Sequence, residues 1–239
     1  MTNVVDYSLK DRIATITFDD GKANVMTLTS ITAISEALAR AEQDGAVAIL
    51  TGRTGVFSAG YDMAMFDLPI EQIMATMRAG GELVHQLLSH PLPLIGACNG
   101  HAIAQGAFTL LGCDVRLGVD GGFKIGLNEV AIGLTIPHYG VEIARHQLTP
   151  AWFDHATVTG ELYEPSLARQ AGFLHHLVDA DSLEDTARES ASRLASVDLN
   201  AHAGTKGRAR RLALDAILAG VESEFPLSEE VFPSTDQPV

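Results

Sequence analysis

The chain has 239 residues, 46% of them hydrophobic, and its 30 Asp and Glu against 16 Lys and Arg give a formal net charge of −14. That size is enough for one sizeable core, or a core with an appendage. The charge excludes a nucleic-acid partner, because phosphate binding needs a basic face. Two cysteines in apolar surroundings, Cys98 and Cys113, fit a reducing cytoplasm rather than a disulfide framework. No Cys/His spacing matches a zinc site. Residues 1–6 lack the basic-then-apolar pattern of a signal peptide, and no run of about 18 apolar residues offers a membrane span.

In chain order, residues 12–18 alternate and are rich in β-branched side chains, which predicts a strand. Residues 19–22 form a turn. Residues 27–43 have helical spacing, with Leu28, Ile31, Ile34 and Leu38 on one stripe and Thr29 as candidate cap. Residues 46–52, 94–100 and 114–119 are apolar runs of the kind buried parallel strands show. A helical pattern at 69–89 lies between two of them. This alternation predicts an α/β fold. After about residue 180 only amphipathic helical patterns follow, at 182–197 and 200–218. The expected division is an α/β core at 1–180 and a helical region at 181–239, loose and acidic after about 226. No internal repeat is visible.

Two turns follow buried strands, at residues 57–62 and 99–108. Small residues there would leave backbone N–H groups unpaired near a helix N-terminus, which makes an anion or oxyanion site. Asp62 is expected to cap the helix after it, and Ser58 to be a turn residue rather than a nucleophile. Of the nine histidines, His138 is expected near the pocket with Tyr139, while His175 and His176 read as surface or interface residues. Met63, Met65, Phe66, Met74 and Met77 are adaptable apolar side chains. The one basic cluster, Lys206, Arg208, Arg210 and Arg211, reads as a solvated helix face.

Glu129 is the only acid between Asp120 and Glu142, and it stands among Ile125, Leu127, Val130, Ile132 and Leu134. An ionised carboxylate is costly to bury in such surroundings, and its pKa rises toward the range where it both takes and gives a proton. Two readings are open on the residues alone. Glu129 is a catalytic base, or it is a structural acid, paired with Lys124 or Arg145 or simply exposed on a loop.

The succession of Gly21-Lys22-Ala23-Asn24, the turn at 57–62, the turn at 99–106, Cys113-Asp114, and Ile125-Gly126-Leu127-Asn128-Glu129 followed by Gly133 and Pro137 resembles the crotonase superfamily, or enoyl-CoA hydratase/isomerase family, over residues 4–220. The resemblance implies a spiral of ββα units with a C-terminal helical trimerisation region, assembly as a homotrimer or homohexamer, and acyl-CoA thioester substrates. It implies no metal, and no cofactor apart from the CoA that belongs to the substrate. It places the oxyanion-hole N–H groups at Tyr61 and Gln105, with Gly60 and Gly106 shaping the turns. Gln105 stands where the family commonly has glycine. It puts Lys22, Ala23 and Ala59 against CoA, and offers the basic C-terminal cluster as a contact for the CoA phosphates.

The family's hydratases use two glutamates to activate one water. The second matches Glu129; the first matches Phe108, which lines the acyl site and cannot polarise water. The single-glutamate enoyl-CoA isomerase branch is the nearer match, with Glu129 as sole proton shuttle between carbon 2 and carbon 4. A hydratase with an altered site, or a non-catalytic acyl-CoA-binding homologue, are the alternatives.

Overall fold

The computed structural model describes residues 4–227 and is built from a repeated ββα turn. In each turn a long strand is followed by short, offset strands and then a helix. The first has the hairpin β1 (Val5–Lys10) and β2 (Ile13–Phe18), then β3 (Val25–Met26) and α1 (Leu28–Gln43). The second has β4 (Val47–Thr51), β5 (Gly55–Ser58), β6 (Gly60–Tyr61) and α2 (Ile70–Ser89). The third has β7 (Leu94–Cys98), β8 (Gly100–Ile103) and α3 (Gln105–Leu111). The fourth has β9 (Val115–Val119), β10 (Ile125–Gly126) and α4 (His138–Gln147). After these come α5 (Pro150–Val158), β11 (Leu162–Tyr163), α6 (Pro165–Ala171), β12 (His176–Val178), α7 (Leu183–Ala195) and α8 (Leu199–Glu224).

The long strands form one sheet in the order β1-β2-β4-β7-β9-β12, parallel except for the β1–β2 hairpin. The short strands form a second sheet, β11-β10-β8-β5, and a separate β3–β6 pair. The repeat that the sequence hid is therefore a repeat of backbone path. Its short strands of two to four residues carry too little side-chain pattern to register.

The expected strands and the long helices are present. Thr27, not Thr29, caps α1: its side chain accepts the Ser30 N–H while Ser30 Oγ accepts the Thr27 N–H. Asp62 caps the 3₁₀ turn Met63–Asp67, as expected. The boundary expected near residue 180 falls in the 3₁₀ turn Ala180–Ser182. Beyond it, α7 covers β4 and β7 of the main sheet, and α8 packs on α2 and α4. Leu183, Ala187 and Ala191 thereby complete one core, and Ala213, Ile217 and Val221 the other. Most of the tail expected to be loose, 228–239, lies outside the described residues.

The solvated basic face needs correction at two of its four positions. Lys206 Nζ lies 2.9 Å and Arg210 Nη1 2.8 Å from the Asp114 carboxylate, which also accepts the Leu94 N–H at 2.7 Å. The helical period puts positions 206 and 210 on the inner face of α8, over the loop that starts β9. Arg208 and Arg211 stay exposed. Among the described residues, no helix is long and apolar enough to cross a membrane.

Candidate active site

The first turn is held by Asn24. Its buried amide donates to Phe18 O at 2.7 Å and Phe57 O at 3.2 Å, and its Oδ1 accepts the Asp20 N–H at 3.0 Å. Ser58 Oγ donates to Asn24 O at 2.7 Å and accepts the Gly60 N–H at 3.2 Å, so Ser58 is a turn residue. Ala59 N–H donates to Ala23 O at 3.0 Å, which brings together two of the positions expected against CoA. Lys22 is exposed beside them. Asp62 N–H donates across to Met26 O at 3.2 Å. Tyr61 lies between Ala59 and Asp62, in β6, opposite Met26 of β3.

The second turn joins β8 to α3. Gln105 is the first residue of α3, where an N–H has no acceptor within the helix. Ala104, before it, is held at φ +52°, in the left-handed region that favours glycine. The two turns abut because glycine stands at two contact points. A Cβ built on Gly60 would lie 2.9 Å from Ile103 O and 3.5 Å from the Gln105 nitrogen; one on Gly106 would lie 2.5 Å from Ser58 O. The backbones of Tyr61 and Gln105 are thus neighbours.

Both turns open on a cavity of about 290 Å³. Tyr61 and Ala59 line it from the first turn, Ala104 and Phe108 from the second, and Met63, Phe66 and Met77 add apolar wall. Glu129 reaches it from beyond β10. That strand pairs in parallel with β8, Ile125 against Ala102 and Gly126 against Ile103, which sets Glu129 beside the second turn. Backbone N–H groups of Ile132 and Leu134 close back on Glu129 O at 3.1 and 2.9 Å and fix the residue's backbone.

Glu129 is only 7% exposed, and its Oε2 is buried with no hydrogen-bond partner. Burial pushes its carboxyl up to about 7 from an ordinary 4.5. The structural pairings open to it are taken elsewhere: Lys124 meets Glu164 at 3.5 Å, and Arg145 meets Glu142 at 3.4 Å. Among the described residues lining the cavity Glu129 is the only acid. Phe108 is 1% exposed and stands edge-on to Tyr139, with ring centroids 6.0 Å apart. Of the other expected residues, Pro137 lines the cavity and Tyr139 is buried behind it, whereas the His138 side chain is exposed and its N–H is capped by Glu224 at 2.7 Å. Among the described residues, no three His, Cys, Asp or Glu side chains gather as a metal site needs.

Sequence reasoning missed the part played by α2. Its Gly80 and Gly81 let it approach the site closely: a Cβ on Gly80 would collide with Tyr61 Oη, and one on Gly81 would lie 2.8 Å from the Tyr139 ring. The signal was there, since two adjacent glycines inside an apolar helix mark a close approach.

This arrangement suits proton transfer next to a carbonyl. A carboxyl whose pKa burial raises to about 7 faces a largely apolar cavity, and the two turns sit beside it.

The chain matches the family described as enoyl-CoA hydratase/isomerase over residues 8–237. The crystal structure of an enoyl-CoA hydratase/isomerase family protein from Pseudomonas syringae superposes with a TM-score of 0.91 at 40% identity, covering 93% of this chain and 96% of that one. A rat (Rattus norvegicus) mitochondrial enoyl-CoA delta isomerase 1 is 28% identical over 218 residues, which are 89% of this chain and 75% of the relative. An (E)-benzylidenesuccinyl-CoA hydratase of Thauera aromatica is 28% identical over 196 residues, 80% of this chain and 76% of the relative. Relatives of both activities thus match at equal identity.

Proposed function

Because the chain belongs to the enoyl-CoA hydratase/isomerase family, we propose that it is an enoyl-CoA isomerase, moving a 3-enoyl-CoA double bond to the 2-position with Glu129 as its one proton shuttle. The observation that carries this reading is the pairing of a lone, unpartnered Glu129 with Phe108 across the same cavity. Hydration needs a positioned water and a second acid–base group, and the loss of one such group costs about 10²–10⁴-fold. A double-bond shift needs neither. Glu129 takes a proton from carbon 2. The negative charge then forms at the thioester oxygen, where the N–H groups of Tyr61 and Gln105 would stabilise it. The same carboxyl returns the proton to carbon 4. Phe108 keeps water from the conjugated product.

Lys22, Ala23 and Ala59 are assigned to CoA in this reading, supported by the Ala59–Ala23 bond at the cavity edge. The assembly that goes with it is a homotrimer or homohexamer. Exposed Val130, Ile132 and Val158, at 44%, 47% and 64%, support a subunit contact near the cavity.

The test is a parallel assay on a 3-enoyl-CoA and a 2-enoyl-CoA. Isomerisation creates the absorbance of the conjugated thioester, and the 2-enoyl substrate is left unhydrated. Faster conversion of the 2-enoyl-CoA to a hydroxyacyl product would make the protein a hydratase. Binding of both without turnover would make it an acyl-CoA-binding homologue.

The pH profile follows from the base. Glu129 must be ionised to accept the carbon-2 proton, and its carboxyl lies near 7. The expected kcat/KM for the 3-enoyl substrate rises about tenfold per pH unit below that value and levels off above it. Initial rates from pH 5 to 9 check this; a profile flat through 7 would remove Glu129 from the rate-setting step.

A further inference from the structure

Tyr61 and Gln105, the two residues whose backbone N–H groups serve the proposed oxyanion hole, also have side chains that meet. They do not meet directly. Tyr61 Oη lies 2.8 Å from Tyr139 Oη, and the same Tyr139 hydroxyl lies 3.0 Å from Gln105 Oε1. Gln105 Nε2 then donates to Gly80 O on α2 at 3.0 Å. Gln105 and Tyr139 are both 0% exposed.

The direction of this chain is set by its far end. Gly80 O is a carbonyl and only accepts, so the Gln105 amide must present its nitrogen there and its oxygen to Tyr139. Tyr139 spends its single proton on that oxygen, and its own oxygen therefore accepts from Tyr61. Each of the three side chains has a partner, and none can rotate without stranding a buried polar atom. Burial holds both phenols well above their ordinary pKa, so they stay protonated and the chain persists across the working range.

The chain also has a task. Ala104 carries a strained φ of +52° next to Gln105, and such strain lasts only where the surroundings over-determine it. A glutamine side chain anchored at its tip to α2 and α4 does that, whereas a glycine at position 105 would have no anchor.

We propose that Tyr139 is a positioning residue: its one hydroxyl ties together the side chains of Tyr61 and Gln105 and so sets the mutual placement of their backbone N–H groups. The proposal rests on the reading of those groups as an oxyanion hole. Tyr139 itself touches no reacting atom. Loss of a whole oxyanion donor costs about 10²–10³-fold in kcat, and misplacing one costs a part of that. Tyr139→Phe keeps the ring packed on Phe108 and removes only the hydroxyl. It is expected to lower kcat by about 10–100-fold with KM within about threefold, and to leave the pH midpoint of Glu129 in place.

The experiment pairs that variant with Gln105→Gly in a double-mutant cycle and reads a cinnamoyl-CoA thioester bound to each protein. Polarisation of its carbonyl moves its absorption to the red. The wild type is expected to show the red shift and Tyr139→Phe to lose most of it; in the Gln105→Gly background, where the tie is already gone, Tyr139→Phe should change kcat by less than about twofold. A wild type with no red shift would remove the oxyanion-hole reading, and the proposal with it. A wild-type shift kept in full by Tyr139→Phe, or equal kcat losses in both backgrounds, would overturn the positioning role alone. Should Tyr139→Phe not fold, Tyr61→Phe breaks one link and leaves the Tyr139 hydroxyl still donating to Gln105 Oε1. It is expected to give a smaller loss of red shift and kcat, and an unchanged red shift in it would equally overturn the role.

Discussion

Replacing Glu129 by Gln is expected to lower turnover of a 3-enoyl-CoA by about 10²–10⁴-fold and, at the same time, to make the protein more stable at alkaline pH. The two effects have one origin. The substituted amide would have nearly the shape of the native side chain and would keep its backbone contacts, but it cannot take a proton. The stability gain follows from linkage. Glu129's carboxyl rises from 4.5 in an exposed setting to about 7 in the fold, so the folded state holds its proton more tightly. Its contribution to stability is therefore fully present below 4.5 and lost as pH rises through about 7. Once ionised, the buried and unpartnered carboxylate costs about 3 kcal/mol relative to the neutral form. An amide carries no such charge. Denaturant midpoints at pH 5 and pH 8.5 should show the difference between variant and native protein growing by about 2–3 kcal/mol in favour of the variant. An inactive variant with the same pH dependence of stability as the native protein would mean that Glu129 is solvated or paired in solution. A fully active variant would end the proton-shuttle reading.

Gly60→Ala carries the second large effect, through the oxyanion turns. Gly60 has a φ of +89°, and a Cβ there would lie 2.9 Å from Ile103 O and 3.0 Å from the Ala104 Cβ. Those contacts are with backbone and with a methyl group that cannot swing aside. The first turn must then move off the second, and the backbones of Tyr61 and Gln105 separate. The expected loss in kcat is about 10²–10³-fold, that of one oxyanion donor, with about 1–3 kcal/mol of stability lost to strain and contact. Gly45→Ala is the control. Gly45 has a φ of +60° with nothing within 4 Å of a built Cβ, at the far end of α1. It should lose about 1 kcal/mol of stability for the backbone conformation alone and keep its turnover. Equal kcat for both variants would show that the contact between the turns does not matter to catalysis.

How much of this was legible in the sequence depends on the length over which a pattern runs. The strands β2, β4, β7 and β9 and the helices α1, α2, α7 and α8 each carry several buried positions, enough to reveal their period. Glu129 was legible for the opposite reason: it breaks an apolar stretch. The offset strands β3, β6 and β10 are two residues long, and no period can be read from two residues. Their pairing with distant strands makes the spiral. Lys206 and Arg210 looked solvated because a helix shows only its own face; their partner, Asp114, lies 92 residues from Lys206. Gln105 stood out against the family's glycine, yet its reason lay in Tyr139 and Gly80, which come from two other helices. Long-range polar contacts of this kind leave no local pattern to find.

In the proposed reaction one carboxyl carries the same proton from carbon 2 to carbon 4. A 3-enoyl-CoA with deuterium at both carbon-2 positions, turned over once in ordinary water, tests it directly. The Glu129 carboxyl is buried with its Oε2 unpartnered, in an apolar cavity, so it should hold the abstracted deuteron long enough to return a measurable share. Direct transfer puts deuterium at carbon 4 of the 2-enoyl product, seen by mass spectrometry and NMR. A product whose new carbon-4 hydrogen comes wholly from solvent would contradict it.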